Sequence, residues 1–383
     1  MQKKLLALAV AGALAPAAAM AQSTVEIYGR AHLGIDHYQA KGATDDTANY
    51  DGRMRIFDSS SRVGFRVNES LGGGLRAFVV IESGVNIDTG SQAGQSGGTN
   101  ASSGVWASRS SWLGIGGGWG DIRFGRQDVF YGNGIIQQTA ANYINTAVDG
   151  IWTQHGLVGA PGGRLANVLS YNSPTFGGFN ASLYWSPGSE GGAFTGSDPQ
   201  EADHLYAVTA RYSGGALRGQ FDYSTRTNIG SVDGVDQTGW KVGLGWAYAP
   251  GSQLSVVTGN LENEVPGLSA DVHITTLSWE HMLGQWQILA QYMFAGEVDT
   301  SAGELEDSGV RGYTLAAKYF LSKRTGVYVS FSQYKNDEFG AADFGPGACL
   351  SSGVGGAANC RFDPLESFGA DPRIIALGIL HNF

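Results

Sequence analysis

Hydrophobic and polar residues alternate along most of this 383-residue chain. The clearest block is 240–248 (WKVGLGWAY), where every second position carries Trp, Val, Leu, Trp or Tyr. The positions between them hold Lys241 and three small residues. A second block, 286–294 (WQILAQYMF), has aromatic residues at both ends of its apolar face and glutamines on the other face. A period of two predicts β-strands, and helical periodicity is nearly absent.

The position of the aromatic residues separates two all-β classes that share this alternation. A soluble sandwich would bury its large rings at the centre of the apolar face. Here Trp240 and Tyr248, like Trp286 and Phe294, lie near the two ends of that face. An apolar outer band with aromatic residues at both edges and a polar interior is typical of a transmembrane barrel. The pattern therefore predicts an all-β, transmembrane antiparallel β-barrel.

Short and long connections alternate between the predicted strands, as they do in bacterial barrels. Short turns are predicted at Leu71–Gly74, Gly116–Gly118, Phe176–Gly178, Gly214–Gly215, Pro250–Gly251, Gly284 and Ser322–Thr325. Longer polar loops are predicted at 39–54, 89–104, 127–166, 188–202, 227–236, 264–270, 298–307 and 337–371. These connections give sixteen strands. Because hydrocarbon cannot satisfy an unpaired strand edge, the last strand, Pro372–Phe383, must pair with the first, which begins near Ser23.

Composition narrows the class of protein further. The chain has 59 glycines, and 15% of its residues are charged, yet after the first twenty residues no apolar run is long enough for a transmembrane helix. Lys and Arg number 24 against 34 Asp and Glu, and the formal charge is −10. Such a balance disfavours nucleic acid as a partner. The predicted partner of the barrel's outer surface is therefore the lipid of the outer membrane.

The N-terminus carries a predicted secretory signal. Residues 1–21 contain two lysines, an apolar stretch and the small residues Ala19 and Ala21, whereas a short core helix would need a polar second face that is missing. We expect cleavage after Ala21. The remaining residues, 22–383, form one barrel domain without a linker or a break in composition.

The two cysteines of the chain, Cys349 and Cys360, lie in a Gly-, Ala- and Ser-rich stretch. In an oxidising compartment they favour a disulfide over a metal site, because zinc needs three or four ligands and no histidine is adjacent. The acidic loops lack EF-hand spacing, so a solvated rim is favoured over a cation site. The sequence predicts no metal and no cofactor.

Strand parity sends several charged side chains into the barrel lumen. If Val63, Phe65 and Val67 face lipid, then Arg62 and Arg66 face the lumen. The predicted pore-lining residues are Arg30, Arg62, Arg66, Arg76, Arg109, Arg123, Arg126, Glu82, Asp121 and Asp149, with Glu26 as a further acid. This basic excess predicts weak to moderate anion preference despite the acidic chain. The alternative is that the arginines pair with carboxylates and only shape the transverse field.

Catalytic motifs are missing from the sequence. The seven histidines are scattered, and no G-x-S-x-G, H-E-x-x-H or P-loop occurs. The sequence therefore predicts a protein that is not an enzyme and has no catalytic residues.

Several stretches resemble the general diffusion porins of Gram-negative outer membranes. They are VEIYGRAHLGID, SRVGFRVNESLGGGLRAFVVIESG, SSWLGIGGGWGDIRFGRQ, LSYNSPTFGGF, LSKRT and the C-terminal ILHNF. The resemblance implies a sixteen-stranded homotrimeric barrel whose third external loop, residues 127–166 here, folds into the lumen as a constriction. It also implies that Arg62 and Arg109 line that constriction. Cys349, Cys360, His32 and Arg30 depart from the family's pattern.

These observations predict an outer-membrane channel for the passive diffusion of small hydrophilic solutes and ions. The first alternative is a substrate-specific channel for phosphate or organic acids, which would share the barrel. A barrel enzyme or an adhesin is less favoured, because the chain has neither a catalytic motif nor a large external domain.

Overall fold

The alternating pattern is realised as a closed antiparallel β-barrel. The computed structural model describes residues 24–88, 106–130, 147–188, 203–229, 232–344 and 368–383. These residues form nineteen strands in one sheet. In chain order they are β1 (Thr24–Lys41), β2 (Tyr50–Asp58), β3 (Arg62–Gly72), β4 (Leu75–Gly84), β5 (Ser111–Gly117), β6 (Gly120–Val129), β7 (Gly163–Asn172), β8 (Phe179–Ser186), β9 (His204–Gly214), β10 (Leu217–Thr227), β11 (Asp236–Ala249), β12 (Ser252–Val265), β13 (Leu268–Leu283), β14 (Trp286–Ala295), β15 (Val298–Thr300), β16 (Gly303–Leu305), β17 (Val310–Phe320), β18 (Thr325–Asn336) and β19 (Asp371–Asn382).

The first strand closes the barrel on both sides. Along one edge β1 pairs with β19, in register from Arg30 opposite Asn382 to Lys41 opposite Asp371. Along the other edge it pairs first with β3 and then with β2. β2 and β3 are thus two halves of one barrel strand. β15 and β16 form a small hairpin beyond β14, and β15 pairs with the beginning of β13. The described strands therefore give the predicted sixteen barrel positions, with no unpaired edge left in the hydrocarbon.

The two faces of the barrel are inverted relative to a soluble protein. On β11, Leu244 and Trp246 are 59% and 51% exposed, while Lys241, which has the opposite parity on the same strand, is only 2% exposed. The same apolar exposure continues across β19 and β1, for example at Leu377 and Ile27. Apolar residues thus form the outer face and polar residues the inner face, as burial in lipid requires. No described helical segment has the length and apolarity needed to cross a bilayer.

The seven predicted short turns all lie where the structure changes strand, and they define the short-turn end of the barrel. The turn between β3 and β4 shows why glycine is needed there, since Gly72, Gly73 and Gly74 all have positive φ. The opposite end, which carries the longer connections, is called the loop end below.

Two of the predicted long loops are wrong in part. Residues 264–270 hold only a Pro266–Gly267 turn, because β12 and β13 continue their ladder to Val265 opposite Leu268. Gly267 has a φ of 87°, and Pro followed by Gly suits a tight type II turn. The second correction concerns 298–307, which forms the hairpin of β15 and β16. Pro, Gly, Ser, Asp and Glu make up more than half of each segment, so the sequence predicts loops there.

Three predictions fall on residues outside the described ranges. The signal peptide, residues 1–21, is one of them, and the Cys349–Cys360 disulfide is another. Part of the predicted loop 127–166 is the third: residues 127–130 and 147–166 are described, and 131–146 lie outside the described part. The disulfide and the signal peptide stay predictions.

Candidate functional site

The inner wall formed by β1, β3, β4 and β5 is shaped by glycines that leave room for aromatic rings. A Cβ at Gly64 would overlap the ring of Tyr28, and a Cβ at Gly114 would overlap the ring of Phe78. Each ring therefore lies flat across a neighbouring strand. Arginine side chains then lie over these rings, with the guanidinium of Arg66 4.6 Å from the centre of the Tyr28 ring.

Glu82 on β4 is the centre of the first charged cluster on this wall. Its Oε1 accepts a hydrogen bond from Arg109 Nε at 2.6 Å, and Arg62 Nε lies 3.5 Å from its Oε2. The hydroxyl of Tyr28 donates to the same carboxylate at 3.2 Å. The backbone N–H of Arg109 also donates to the carbonyl oxygen of Glu82 at 2.9 Å, which fixes the chain just before β5. We call Arg62, Arg109 and Glu82 the Glu82 cluster.

Asp121 on β6 is the centre of the second cluster. Arg123 contacts both of its oxygens, at 2.7 and 3.2 Å, and Arg76 Nη2 lies 3.7 Å away. The two guanidinium groups also lie against aromatic rings, Arg76 at 5.0 Å from Phe78 and Arg123 at 4.5 Å from Trp112. We call Arg76, Arg123 and Asp121 the Asp121 cluster.

The two clusters share one electrostatic property. In each of them two guanidinium groups share a single carboxylate, so each cluster keeps one net positive charge at neutral pH. Arginine stays protonated under all such conditions. Further positive charge acts on Arg62 from Arg30 and Arg164. Ion pairing on this wall therefore does not neutralise it.

The remaining predicted site residues lie around these clusters. Arg30 Nε donates to Asn382 Oδ1 at 3.2 Å, and Arg126 Nε donates to the carbonyl oxygen of Ser108 at 3.3 Å. Arg66 is half-exposed and forms a one-to-one pair with Glu26 at 2.7 Å, so it adds no net charge. Asp149 belongs to the turn Val148–Gly150, and its side chain lies outside the described part of the structure.

Two basic residues that interact electrostatically with Arg62 or Arg30 were absent from the sequence prediction. Arg164 is the second residue of β7 and pairs with Asp128 at 2.9 Å, but it fell inside the predicted loop 127–166. Lys318 on β17 lies close enough to Arg30 for their charges to interact. The parity of β17, where Leu315 faces outward, could have identified it.

The segment 147–162, between β6 and β7, packs on inner-face side chains of the opposite wall. The N–H of Val148 donates to Thr314 Oγ1 at 3.2 Å, and Tyr334 donates through its hydroxyl to the Val148 carbonyl at 3.0 Å. Ile151 and Trp152 are fully buried in the same cluster of apolar side chains. Hydrogen bonds and apolar burial together hold this segment against β17 and β18.

Lys241 fixes the beginning of the same connection. This lysine is 2% exposed, and its ammonium group donates to the carbonyl of Phe130. It lies 4.2 Å from the centre of the Phe130 ring and 3.9 Å from Asp222. At the other end, Ser224 donates to the carbonyl of Pro161 at 2.7 Å. Strands β10 and β11 thus hold the connection on both sides.

His155 follows the helical turn Ile151–Gln154 and is fully buried. Neither ring nitrogen has a hydrogen-bond partner among the described residues. Burial lowers the pKa of His155 to about 4, so its ring is neutral at pH 7. The next residue, Gly156, passes so close to Ala341 that a Cβ would meet the Ala341 carbonyl oxygen. A buried and uncharged His155 thus lies directly beside the contact between two loop-end segments.

We expect acid to weaken this contact. Folding lowers the pKa of His155. Its contribution to the free energy of unfolding is therefore complete above the unfolded pKa near 6.5 and is lost as pH falls through about 4. The loss is on the order of 3 kcal/mol. The measurement is the difference in thermal unfolding temperature between the wild type and His155→Leu from pH 7 to pH 4. Burial also raises the pKa of Asp343 to about 7. Asp343 is present in both proteins, so its titration drops out when the two unfolding temperatures are subtracted. A pH-independent difference would contradict the assignment.

Comparison with known proteins places this geometry in a family. A family model described as Gram-negative porin matches residues 7–338. The major outer membrane protein P.IB of Neisseria gonorrhoeae is 27% identical over 86% of this chain and 92% of its own length. The anion-selective porin from Comamonas acidovorans superimposes with a TM-score of 0.71 at 20% identity, over 94% of this chain and all of the porin. The trimer form of OmpT from Vibrio cholerae gives a TM-score of 0.63 at 14% identity, over 94% of this chain and 99% of OmpT.

Proposed function

The chain belongs to the Gram-negative porin family as an outer-membrane β-barrel, and on that premise we propose that it forms a water-filled channel with weak to moderate preference for anions. Small hydrophilic solutes and ions would cross it by passive diffusion. The observation that carries the anion preference is the Glu82 cluster, in which Arg62 and Arg109 share one carboxylate. The Asp121 cluster adds a second wall segment of the same sign.

The size of the preference follows from simple electrostatics. A unit charge at about 5 Å in a water-like dielectric contributes roughly 0.8 kcal/mol, which favours an anion about four-fold. The low-dielectric wall raises this value, whereas salt lowers it. Acidic residues of the loop end, such as Glu304, Glu306 and Asp307, attract cations to that mouth. The two effects oppose each other, so the proposed preference is weak to moderate.

We propose that the segment 147–162 narrows the lumen beside the basic wall. The anchors of this segment support the proposal, because Thr314, Tyr334 and Lys241 all belong to inner-face positions. A narrower lumen brings each passing ion closer to the Glu82 cluster. The width of the channel and its charge preference would then depend on each other.

Tracer flux into proteoliposomes tests this function with three solutes of similar size. Gluconate is an anion, glucose is neutral and glucosamine is a cation. We expect all three to enter, with gluconate fastest and glucosamine slowest. Equal rates would contradict the anion preference, and the absence of any flux would contradict the channel.

The Asp121 cluster supports a second candidate, a channel with a saturable site for organic anions. Its guanidinium groups lie against Phe78 and Trp112, so a carboxylate and a planar apolar group could both be bound on the same wall. The test is the conductance in sodium benzoate against that in sodium chloride. Saturation in benzoate alone would favour this candidate, and linear conductance in both salts would reject it.

We propose that the protein is a homotrimer whose interface is the outer face of β18, β19, β1 and β2. This face is mostly aliphatic apart from Phe331, which stands opposite the outward-facing Ile375, and Trp and Tyr are absent from its outward positions within the described residues. Leu377 stands opposite Ile35 on one side and Val329 on the other, and all three are about half-exposed or more. A mostly aliphatic surface without a belt of Trp and Tyr suits a second copy of the chain better than a lipid interface.

Replacing Leu377 with lysine should convert trimers to monomers, because the ammonium group would be buried between two apolar surfaces. Leu244→Lys is the matched control, since Leu244 is similarly exposed on the opposite wall. In each variant, a lysine on the lipid-facing surface lowers the stability of the barrel in the membrane by up to about 4 kcal/mol. Size-exclusion chromatography with light scattering in mild detergent gives the oligomeric state. Two trimeric variants would contradict this interface.

A further inference from the structure

A cavity of about 620 Å³ opens at the short-turn end of the barrel, on the wall next to the first strand. Its rim is formed by three of the short turns, at Pro250–Gly251, Gly284 and Lys323–Thr325. Its deeper lining comes from β14, β17 and β19. The cavity is separate from the Glu82 and Asp121 clusters, because none of their residues lines it.

The lining of this cavity is basic. Lys318, Lys323 and Arg324 all contribute to it, together with the side-chain amides of Gln287 and Asn382. Among the described residues that line the cavity, none is Asp or Glu. Glu280 lies next to the lining, and its carboxylate accepts a hydrogen bond from the Gln287 side chain at 3.0 Å. The charged side chains that line the cavity are therefore all basic.

Lys318 is held at this place by packing. It is only 5% exposed, and its Nζ lies 4.4 Å from the centre of the Phe320 ring. Gly326 on the neighbouring strand provides the room for its stem, because a Cβ there would lie 2.6 Å from Lys318 Cε. A lysine with little freedom loses little conformational entropy when it binds a ligand.

We propose that this cavity is an anion-binding site that takes a small oxyanion, with inorganic phosphate as the representative. The ammonium groups of Lys318 and Lys323 and the planar guanidinium of Arg324 line one space, and an ion with several oxygens can bind more than one of them at once. A monatomic anion can accept from fewer of these directions. The volume holds such an oxyanion together with part of its hydration shell.

The site continues the basic wall described above. Asn382 lines the cavity and accepts the hydrogen bond from Arg30, whose charge acts on both Lys318 and Arg62. Positive charge therefore extends from the Glu82 cluster through Arg30 to the cavity. The inference that permeating anions bind here on their way through the lumen rests on the proposed anion channel. Phosphate binding itself can be measured without conduction.

Phosphorus NMR line broadening of inorganic phosphate, with the purified detergent-solubilised protein, tests the site directly. We expect broadening that saturates, and an apparent Kd about ten-fold weaker in the double variant Lys323→Gln with Arg324→Gln. The matched control is Arg311→Gln with Lys335→Gln, which removes two charges at the loop end. Lys318→Gln should weaken binding in the same way, and the double variant keeps the test valid if Lys318→Gln fails to fold.

The outcomes separate this inference from the proposed function. Binding that is unchanged in the double variant and in Lys318→Gln would overturn the site, as would an equal loss in the loop-end control. Anion-selective conductance in the same preparation would then leave the function standing. Conversely, site-specific phosphate binding by a protein without anion preference would keep the site and reject the function.

Discussion

Arg62→Glu should turn the channel from anion preference to cation preference. The substitution changes the formal charge of the Glu82 cluster by two units, since Arg109 would then face two carboxylates. Two unit charges at about 5 Å in a water-like dielectric correspond to roughly 1.7 kcal/mol, or a ten-fold or larger change in the anion-to-cation permeability ratio at low salt. The measurement is the reversal potential in a planar bilayer under a potassium chloride gradient.

Arg311→Glu is the control for this reversal. Arg311 is exposed on the outer face of β17, opposite the outward-facing Phe294, so the same charge change occurs outside the lumen. We expect its reversal potential to match the wild type. If both variants shift equally, selectivity follows total charge and the Glu82 cluster has no special part. If neither shifts, Arg62 does not face the ion path.

Trp152→Ala should release the segment 147–162 from the inner wall and raise the single-channel conductance. Trp152 is fully buried, together with Val148 and Ile151, in the apolar cluster between this segment and the barrel. Loss of a buried tryptophan costs about 3–5 kcal/mol. That energy exceeds the contribution of the two backbone hydrogen bonds of Val148, at about 1 kcal/mol each. The barrel itself keeps its closed ladder.

The control for this variant is Trp286→Ala, whose ring is 46% exposed on the outer face. It removes a ring of the same size without touching the lumen, and we expect wild-type conductance. An unchanged conductance in Trp152→Ala would contradict the narrowing of the lumen by this segment. A rise in conductance should also weaken the anion preference, because ions would pass farther from the wall charges.

The strands and turns of the barrel could be predicted because each rests on a local signal. Period-two alternation identifies the outer face. Runs of glycine identify turns such as 72–74, where the structure shows positive φ at all three glycines. The interruption between β2 and β3 has no such signal. At this interruption the hydroxyl of Ser61 accepts a hydrogen bond from the N–H of His32 at 2.9 Å. His32 belongs to the neighbouring strand β1, so this contact is not visible in the local sequence. Polar strands beyond the apolar band, as near Pro266, were missed for the same reason.

The candidate site was predictable in its composition but not in its pairing. Parity places Arg62 and Arg66 on one face, yet it cannot tell that Arg62 joins Arg109 at Glu82 while Arg66 is neutralised by Glu26. The difference depends on strand register, which brings Glu82 opposite Gly64 and Glu26 opposite Arg66. A charge count alone therefore could not decide whether the wall keeps a net positive charge.

The sign of the reversal potential of the wild-type protein tests the central claim most directly. The purified, unheated protein is inserted into a planar bilayer, and the zero-current potential is read under a potassium chloride gradient. The Glu82 and Asp121 clusters predict the sign of an anion-preferring channel, with a preference that falls as salt rises. A cation-preferring potential would contradict the account, because two guanidinium groups for each carboxylate would then not control the ions that pass.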